Sequence, residues 1–256
     1  MANSVSWQKI FDDYGIMNHN FDESPYSISA EQIKRACQDF RDTAQKEVRI
    51  LCKQDSRRNG PQVFIENNLF LLPVKNGFYN IIKGEGYIDI PEIVDSETLY
   101  SSKLDFILDT VQIGNSEMQH LDYAYASSLI RTFMDDPSLV LTIRGRKYTP
   151  KFKFYVGKHL IEVESVQTEV DAGYEGRVQI VLVEAKNFKT RDTIIRQLYY
   201  PFRQWQEHTN KKVVTLFFDR EDEENTYSIW KFGFEDVENY NSIKLIKFGK
   251  FKIEEK

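Results

Sequence analysis

The sequence predicts an α/β protein, with an N-terminal α+β unit over residues 1–95 and a core of mixed β-sheet flanked by helices over residues 96–256. Three observations predict it. Apolar residues recur at helical spacing in three stretches, near 33–44, 118–133 and 194–205. Outside the last of these, the apolar period from residue 139 onward is two, as in strands. Turn signals such as Asn59-Gly60-Pro61, Asn76-Gly77 and Asp136-Pro137 punctuate the runs.

Taken in order, Ser29 followed by Gln32 is a capping-box pattern, and Ile33, Ala36, Cys37, Phe40 and Ala44 follow at helical spacing. Strand-like runs come next at 48–52, 62–66, 69–74 and 79–83, with Asn76-Gly77 a hairpin turn between the last two. Asn115-Ser116 opens a helix to about Met134, with Met118, Leu121, Tyr125, Leu129 and Phe133 on one stripe; Asp136-Pro137 stops it. Strands are expected at 139–143, 151–156, 160–170 and 179–184. Thr190 or Asp192 opens another helix, with Ile194, Ile195, Leu198, Phe202 and Trp205 as its apolar side and a kink or restart at Pro201. Runs at 213–218, 227–234 and 243–251 complete the strands, and the acidic residues Asp219 and 221–224 read as a solvated turn.

Composition bounds the function. A hydrophobic share of 41% with 29% charged residues is that of an ordinary globular protein, and 7 Pro and 12 Gly exclude a long low-complexity arm. No apolar run approaches the roughly 20 residues of a membrane span, and the N-terminus carries no signal or transit pattern; the expectation is a cytoplasmic protein without a membrane partner. Cys37 and Cys52 cannot supply a four-ligand zinc site and read as thiols in a reducing compartment. A net charge of −5 argues on average against nucleic acid, yet the charge is segregated. Eleven acids face two bases between Glu85 and Asp136, whereas Arg144, Arg146, Lys147, Lys151, Lys153 and Lys158 run to His159 with no acid among them.

Phosphate-binding loops, nucleophile elbows and zinc-protease helices are absent from the sequence, and the four histidines have no metal-ligand spacing. One stretch carries chemistry. An apolar strand ends in Glu184-Ala185-Lys186, and thirteen residues before Glu184 another strand reaches Asp171. The period of two puts Glu184 and Lys186 on one face. Two carboxylates and a lysine at strand ends are what a divalent-metal phosphodiesterase needs: oxygen ligands for Mg²⁺, an acidified water, and a cation to orient it. Acid-x-Lys alone is weak, since the tail repeats it as Glu254-Glu255-Lys256. A tight turn centred on Glu175-Gly176 would also place Asp171 opposite Ile180, so the hairpin must turn later, bulge or bend for the acids to meet.

At these residues the chain resembles the PD-(D/E)xK nuclease superfamily. Asp171 stands for the first acid, Glu184 for the second and Lys186 for the lysine, with Val170 where the family has its nominal proline. The string 167–175, Val-Glu-Ala-Lys-Asn and Gln-Leu-Tyr-Tyr-Pro (197–201) look like a group of type II restriction endonucleases, and Lys83-Gly-Glu-Gly-Tyr resembles the same group. The clear resemblance covers about 140–205. It implies a restriction-endonuclease-like core and Mg²⁺-dependent hydrolysis of double-stranded DNA, with Mn²⁺ able to substitute. It also implies a supporting Gln197 on the next helix and a metal-assisting acid on the preceding one, where Glu117 stands; Pro201 occupies the position of the usual companion tyrosine. Glu164 or Glu169 is the replacement candidate for the first acid.

DNA contact is expected from Arg144, Arg146, Lys147, Lys151 and Lys153, and from Arg196 and Arg203 on the helix after the lysine. Tyr199 and Tyr200 read as packing residues. The N-terminal unit is expected to help bind or read DNA, and the enzyme to act as a homodimer paired with a cognate DNA methyltransferase. Two other readings stay open: a structure-specific resolvase or repair nuclease on the same core, and a DNA-binding protein with an inactive nuclease fold.

Overall fold

A computed structural model describes residues 2–112, 116–187, 189–221 and 225–254. The expected helix opening at Asn115, the acids 222–224 and the tail pair 255–256 fall wholly or partly outside them.

The N-terminal segment packs helices α1 (Ala2–Asp13), α2 (Ala30–Ala36), α3 (Thr43–Lys46), α4 (Val48–Leu51) and α5 (Gln62–Glu66) against a three-stranded sheet. Its strands are β1 (Tyr26–Ser29), β2 (Leu69–Lys75) and β3 (Phe78–Lys83), in the order β1-β3-β2. The capping box forms: Ser29 Oγ accepts from the Gln32 N–H at 3.2 Å, and Gln32 Oε1 accepts from the Ser29 N–H at 2.9 Å. The helix it opens ends at Ala36, and Asp42 caps a separate α3. The β2–β3 hairpin turns at Gly77, whose φ of 75° favours glycine. Strands expected at 48–52 and 62–66 are instead the short helices α4 and α5. Five-residue apolar runs carry no decisive period, and here Leu51, Val63 and Phe64 all reach one core around Trp7 and Phe11.

Successive residues of β2 serve different cores. Leu69 and Leu71 join the N-terminal core, whereas Phe70 and Leu72 join the core of the larger unit. The small sheet is thus buried on both faces and fuses the two units.

The rest of the chain forms β4 (Tyr87–Asp89), β5 (Thr98–Ser101), α6 (Glu117–Ala126), α7 (Leu129–Met134), β6 (Val140–Tyr148), β7 (Phe152–Val156), β8 (His159–Val163), β9 (Gln167–Glu175), β10 (Gln179–Lys186), β11 (Asp192–Ile194), α8 (Arg196–Gln206), β12 (Lys212–Arg220), β13 (Thr226–Phe234) and β14 (Ile243–Glu254). Seven strands make one mixed sheet in the order β5-β14-β13-β12-β10-β9-β6, parallel at β10–β12 and β14–β5 and antiparallel elsewhere. Along β10, Ile180 and Leu182 pack toward α8, while Val181, Val183 and Ala185 pack toward α6 and α7. The architecture is therefore α/β, a large mixed sheet flanked by helices. No helix among the described residues is long and apolar enough to cross a membrane.

Three further expectations are corrected. The helix stripe 118–133 is divided between α6 and α7 by Ser128 at φ 68°. The run 160–170 is two strands, broken near Ser165 (φ 54°), so that β8 pairs with β7 while β9 joins the large sheet. Residues 192–194 are a strand paired with β4, because Ile194 and Ile195 donate to the carbonyls of Asp55 and Gly86; α8 starts only at Arg196 and runs through Pro201. Cys37 is buried in the N-terminal core, and Cys52 is the half-buried C-cap of α4 rather than a strand residue; both thiols are free.

Candidate active site

Strand β10 carries the acid-x-lysine motif to its C-terminal end, beside β9 and β12. The turn before it spans 176–179, closed by the Gly176 N–H donating to Gln179 O at 2.8 Å. This hairpin pairs Ile180 with Glu175 and Val183 with Ala172, so the next position outward sets Glu184 opposite Asp171. The later turn, not one centred on Glu175-Gly176, brings the acids together. On the other side of β9, Gly173 pairs with Ile143 and Val170 with Gly145, leaving Asp171 and Ala172 both opposite Arg144. That bulge bends β9 away from β10 at Asp171 and re-aims its side chain. Asp171 Oδ2 then accepts from the Ala185 N–H at 2.8 Å, replacing a ladder carbonyl.

Lys186 Nζ donates to Glu184 Oε1 at 2.6 Å. Glu184 is 8% exposed. Burial pushes its carboxyl up to about 7 against the pull of Lys186, and Asp171 and Asp55 push the same way. Burial works against the charged form of Lys186, but Glu184, Asp55 and Asp171 hold the ammonium above its ordinary value. Asp171 is also raised by burial, against the Ala185 N–H, Lys186 and Arg144. Half-buried Glu117, at the start of α6, is raised by burial and by Asp171, while Lys186 and the Asn187 N–H pull it down. Asp171 and Lys186 therefore act on the charge of both Glu184 and Glu117.

Two further acids that sequence reasoning missed exert or feel the charge of this group. Asp219 is the register partner of Lys186 on β12 and is 2% exposed. Its Oδ2 accepts from the Thr190 N–H at 2.7 Å and its Oδ1 has no hydrogen-bond partner; burial pushes the carboxyl up to about 7. The expected solvated turn at Asp219 is thus a buried strand end. Asp55 comes from the N-terminal segment, with no pattern to announce it. A parallel pairing of the two apolar strands would have placed Asp219; nothing in the sequence places Asp55.

Gln197 faces a narrow crevice of about 10 Å³, lined by Glu169, Glu184, Thr215 and others, and its Oε1 accepts from Thr193 Oγ1 at 2.8 Å. Glu169 holds Arg146 Nε at 3.2 Å. Among the described residues, no three His, Cys, Asp or Glu side chains are grouped as a ready metal cage. The donor set nevertheless fits a hard divalent cation: it offers carboxylate oxygens only, and burial, the largest cause of the raised carboxyls of Glu184, Asp171 and Asp219, disfavours their charged forms, a cost that such an ion offsets.

The basic stretch is matched by acids from neighbouring elements. Arg144 forms a two-pronged pair with Asp122 on α6, with Nη1 to Oδ2 at 3.3 Å. Lys151 and Lys153 share Glu162 on β8 at 2.7 and 3.3 Å, and exposed Lys147 sits 5.8 Å from the Trp205 ring. Arg196 is partly buried, 3.9 Å from Asp55. Arg203, expected among the DNA contacts, lies in the interior. It is 6% exposed, its Nη1 donates to Lys153 O, Val237 O and Tyr199 Oη, and its guanidinium lies over Phe152. Tyr199 and Tyr200 are packing residues, 0% and 1% exposed. The Lys83-Gly-Glu-Gly-Tyr87 run lines a separate open cleft of about 560 Å³ that shares no lining residue with the acids.

A family model described as a domain of unknown function (DUF6997) matches residues 82–252, and a second, likewise a domain of unknown function (DUF6996), matches residues 4–81. No curated protein and no solved structure matches the chain.

Proposed function

The chain belongs to the family of the domain of unknown function DUF6997, and from that premise we propose that it is a divalent-metal-dependent DNA endonuclease of the PD-(D/E)xK kind. The observation that carries the reading is the split between β9 and β10, where the bulge at Asp171 and the register of the hairpin bring Asp171 opposite Glu184 with Lys186 bonded to it. A surface ion pair on a strand does not require a buried and a half-buried acid beside the lysine, nor a bulge that delivers one of them.

Asp171 and Glu184 would hold the ion, with Glu117 beside them, and Mg²⁺ or Mn²⁺ there supplies an acidified water and neutralises charge on the transferred phosphate. The protein's own groups do the rest. The Ala185 N–H fixes the Asp171 carboxylate, leaving its Oδ1 for the site. Lys186 stays protonated beside Glu184 and presents N–H donors that orient the attacking water or meet developing phosphate charge. Gln197, held by Thr193, lines the crevice next to Glu184 and positions solvent there. A type II restriction enzyme, dimeric on duplex DNA and paired with a methyltransferase, is the form of this activity that the sequence resemblance favours. A resolvase on the same core is the second form, and the intact Asp171, Glu184 and Lys186 disfavour an inactive DNA-binding protein.

The test is plasmid cleavage in Mg²⁺, Mn²⁺, Ca²⁺ and chelator. The expected result is cleavage with the first two, binding with little turnover in Ca²⁺, and none in chelator. Full activity in chelator refutes the metal mechanism, discrete bands support a restriction enzyme, and cleavage confined to branched DNA supports a resolvase.

A further inference from the structure

We infer that Asp219 is a positioning residue for the lysine of the site: when a cation takes Glu184, the Lys186 ammonium moves to the unpartnered Oδ1 of Asp219 on the neighbouring strand. The inference rests on the metal-site reading above and adds to it a residue that does not itself hold the ion.

The ladder places the two groups side by side. Strands β10 and β12 run parallel in unbroken register, with Glu184 paired to Phe217 and Lys186 to Asp219. Register partners point to one face of a sheet, and here that is the face packed by α8, where Phe217 joins the core. Neighbouring strands lie about 4.8 Å apart, so the long lysine side chain reaches Asp219 by turning about its own bonds, with no backbone movement. In this structure it lies along its own strand instead, donating to Glu184 Oε1 at 2.6 Å. Asp219 is 2% exposed, and its Oδ2 accepts from the Thr190 N–H at 2.7 Å, which ties down the segment leading to β11 and α8. The Arg220 N–H pulls on the same carboxylate, yet Oδ1 has no hydrogen-bond partner.

Holding the Thr190 N–H does not require a charge. An asparagine accepts the same bond through one oxygen and avoids a buried carboxylate with an unsatisfied oxygen, which is unfavourable. The charge has a use once a cation arrives. Glu184 cannot serve a divalent ion and an ammonium on the same oxygen without forcing their positive charges together, so the ammonium gives way. Lys186 is only one-quarter exposed, and a charge that leaves its partner in such a place needs another. Asp219 Oδ1 is an acceptor of the right sign, buried, unpartnered and in register. The move keeps Lys186 paired and charged, separates it from the ion, and clears Glu184 Oε1 for coordination. An ammonium has three donors, so one bond to Asp219 leaves others for water or phosphate.

The experiment is a double-mutant cycle on Mn²⁺ affinity, read by calorimetric titration of the full chain without DNA at mildly alkaline pH, where Asp219 is ionised. It uses wild type, Asp219→Asn, Lys186→Met, the double variant and Glu184→Gln, each checked for folding by circular dichroism. Loss of a supporting partner outside the ligands of a metal site typically costs about 10–100-fold in affinity. Asp219→Asn keeps an acceptor for Thr190, and where Lys186 is present it should weaken binding at least about tenfold, because the ammonium then stays on Glu184. In the Lys186→Met background the same substitution should change affinity by less than about threefold, the two residues acting as a coupled pair. An equal loss in both backgrounds, or no loss in either, overturns the inference. A crystal structure of wild type with Ca²⁺ decides the matter without any variant. Lys186 Nζ should lie within hydrogen-bond distance of Asp219 Oδ1, and an ammonium still on Glu184 beside a bound ion overturns the inference. If wild type binds no Mn²⁺, or Glu184→Gln binds as tightly as wild type, the metal-site reading itself falls, and the inference with it.

Discussion

Replacing Asp171 by asparagine and by alanine separates the two tasks its carboxylate performs. Oδ2 accepts the Ala185 N–H at 2.8 Å, and Ala185 is fully buried. Alanine leaves the N–H of this buried residue without its acceptor, a loss of about 1–3 kcal/mol. Asparagine keeps an acceptor in the same position and removes the charge. It also relieves a group that burial and Glu169 disfavour as an anion, and it lowers the repulsion on Glu184 and Glu117. Asp171→Asn should therefore lie near wild type in stability, and Asp171→Ala about 1–3 kcal/mol below it. At roughly 2–4 °C per kcal/mol for a chain of this size, the two melting temperatures should differ by several degrees. Both variants should lose cleavage alike, by several orders of magnitude, because neither offers a negative oxygen to a cation. The assay is urea and thermal unfolding of both variants in chelator near neutral pH, followed by cleavage in Mg²⁺. Equal stability of the two variants would refute the structural role given to the Ala185 hydrogen bond, and near-wild-type cleavage by either would refute the assignment of the first acid.

Without metal, stability should fall as pH rises through the window between the ordinary carboxylate range and about 7, since the folded state holds protons on Glu184 and Asp219 that the unfolded state has released. Unfolding free energies in chelator at acidic and neutral pH should differ by a few kcal/mol in that direction, at ~1.4 kcal/mol per pH unit for each group, and a flat profile contradicts the burial argument. Arg203→Met should destabilise by about 1–3 kcal/mol, from the lost hydrogen bond to Lys153 O, since Val237 O keeps the Tyr199 hydroxyl, yet leave the DNA affinity of the folded fraction unchanged; weakened DNA binding at full folding would contradict its placement in the interior. Arg144→Ala and Arg146→Ala should each flatten the salt dependence of duplex affinity in Ca²⁺ by about one unit of slope and weaken all sequences alike; an unchanged slope for both would mean that this edge of the sheet faces away from DNA.

The catalytic strand was legible because its signal is local. Period two fixes Glu184 and Lys186 on one face whatever the rest of the chain does, and the turn glycine of the 76–77 hairpin and the Ser29 box are equally local. Whether Asp171 meets Glu184 was not legible, because it depends on where a four-residue turn closes and on one extra residue in β9, and neither leaves a mark in composition. The short apolar runs at 48–52 and 62–66 defeat periodicity, so tertiary packing around Trp7 decides that they are helical. The basic stretch looked unopposed because its acids, Asp122, Glu162 and Glu169, come from neighbouring elements. Arg203 carries the charge of a DNA contact, and its burial is a property of the aromatic side chains that enclose it. Asp55 is the extreme case, since only the docking of its segment on β11 brings its charge within reach of Glu184 and Lys186.

The most direct test of the central claim is digestion of one long duplex DNA of known sequence in Mg²⁺, by wild type and by Glu184→Gln, with sequencing of the product ends. The account predicts fragments from wild type with 5′-phosphate and 3′-hydroxyl ends at a recurrent sequence, and intact DNA from Glu184→Gln, which keeps nearly the size of the glutamate and removes its charge. Undigested DNA from both, or identical fragments from both, would contradict it.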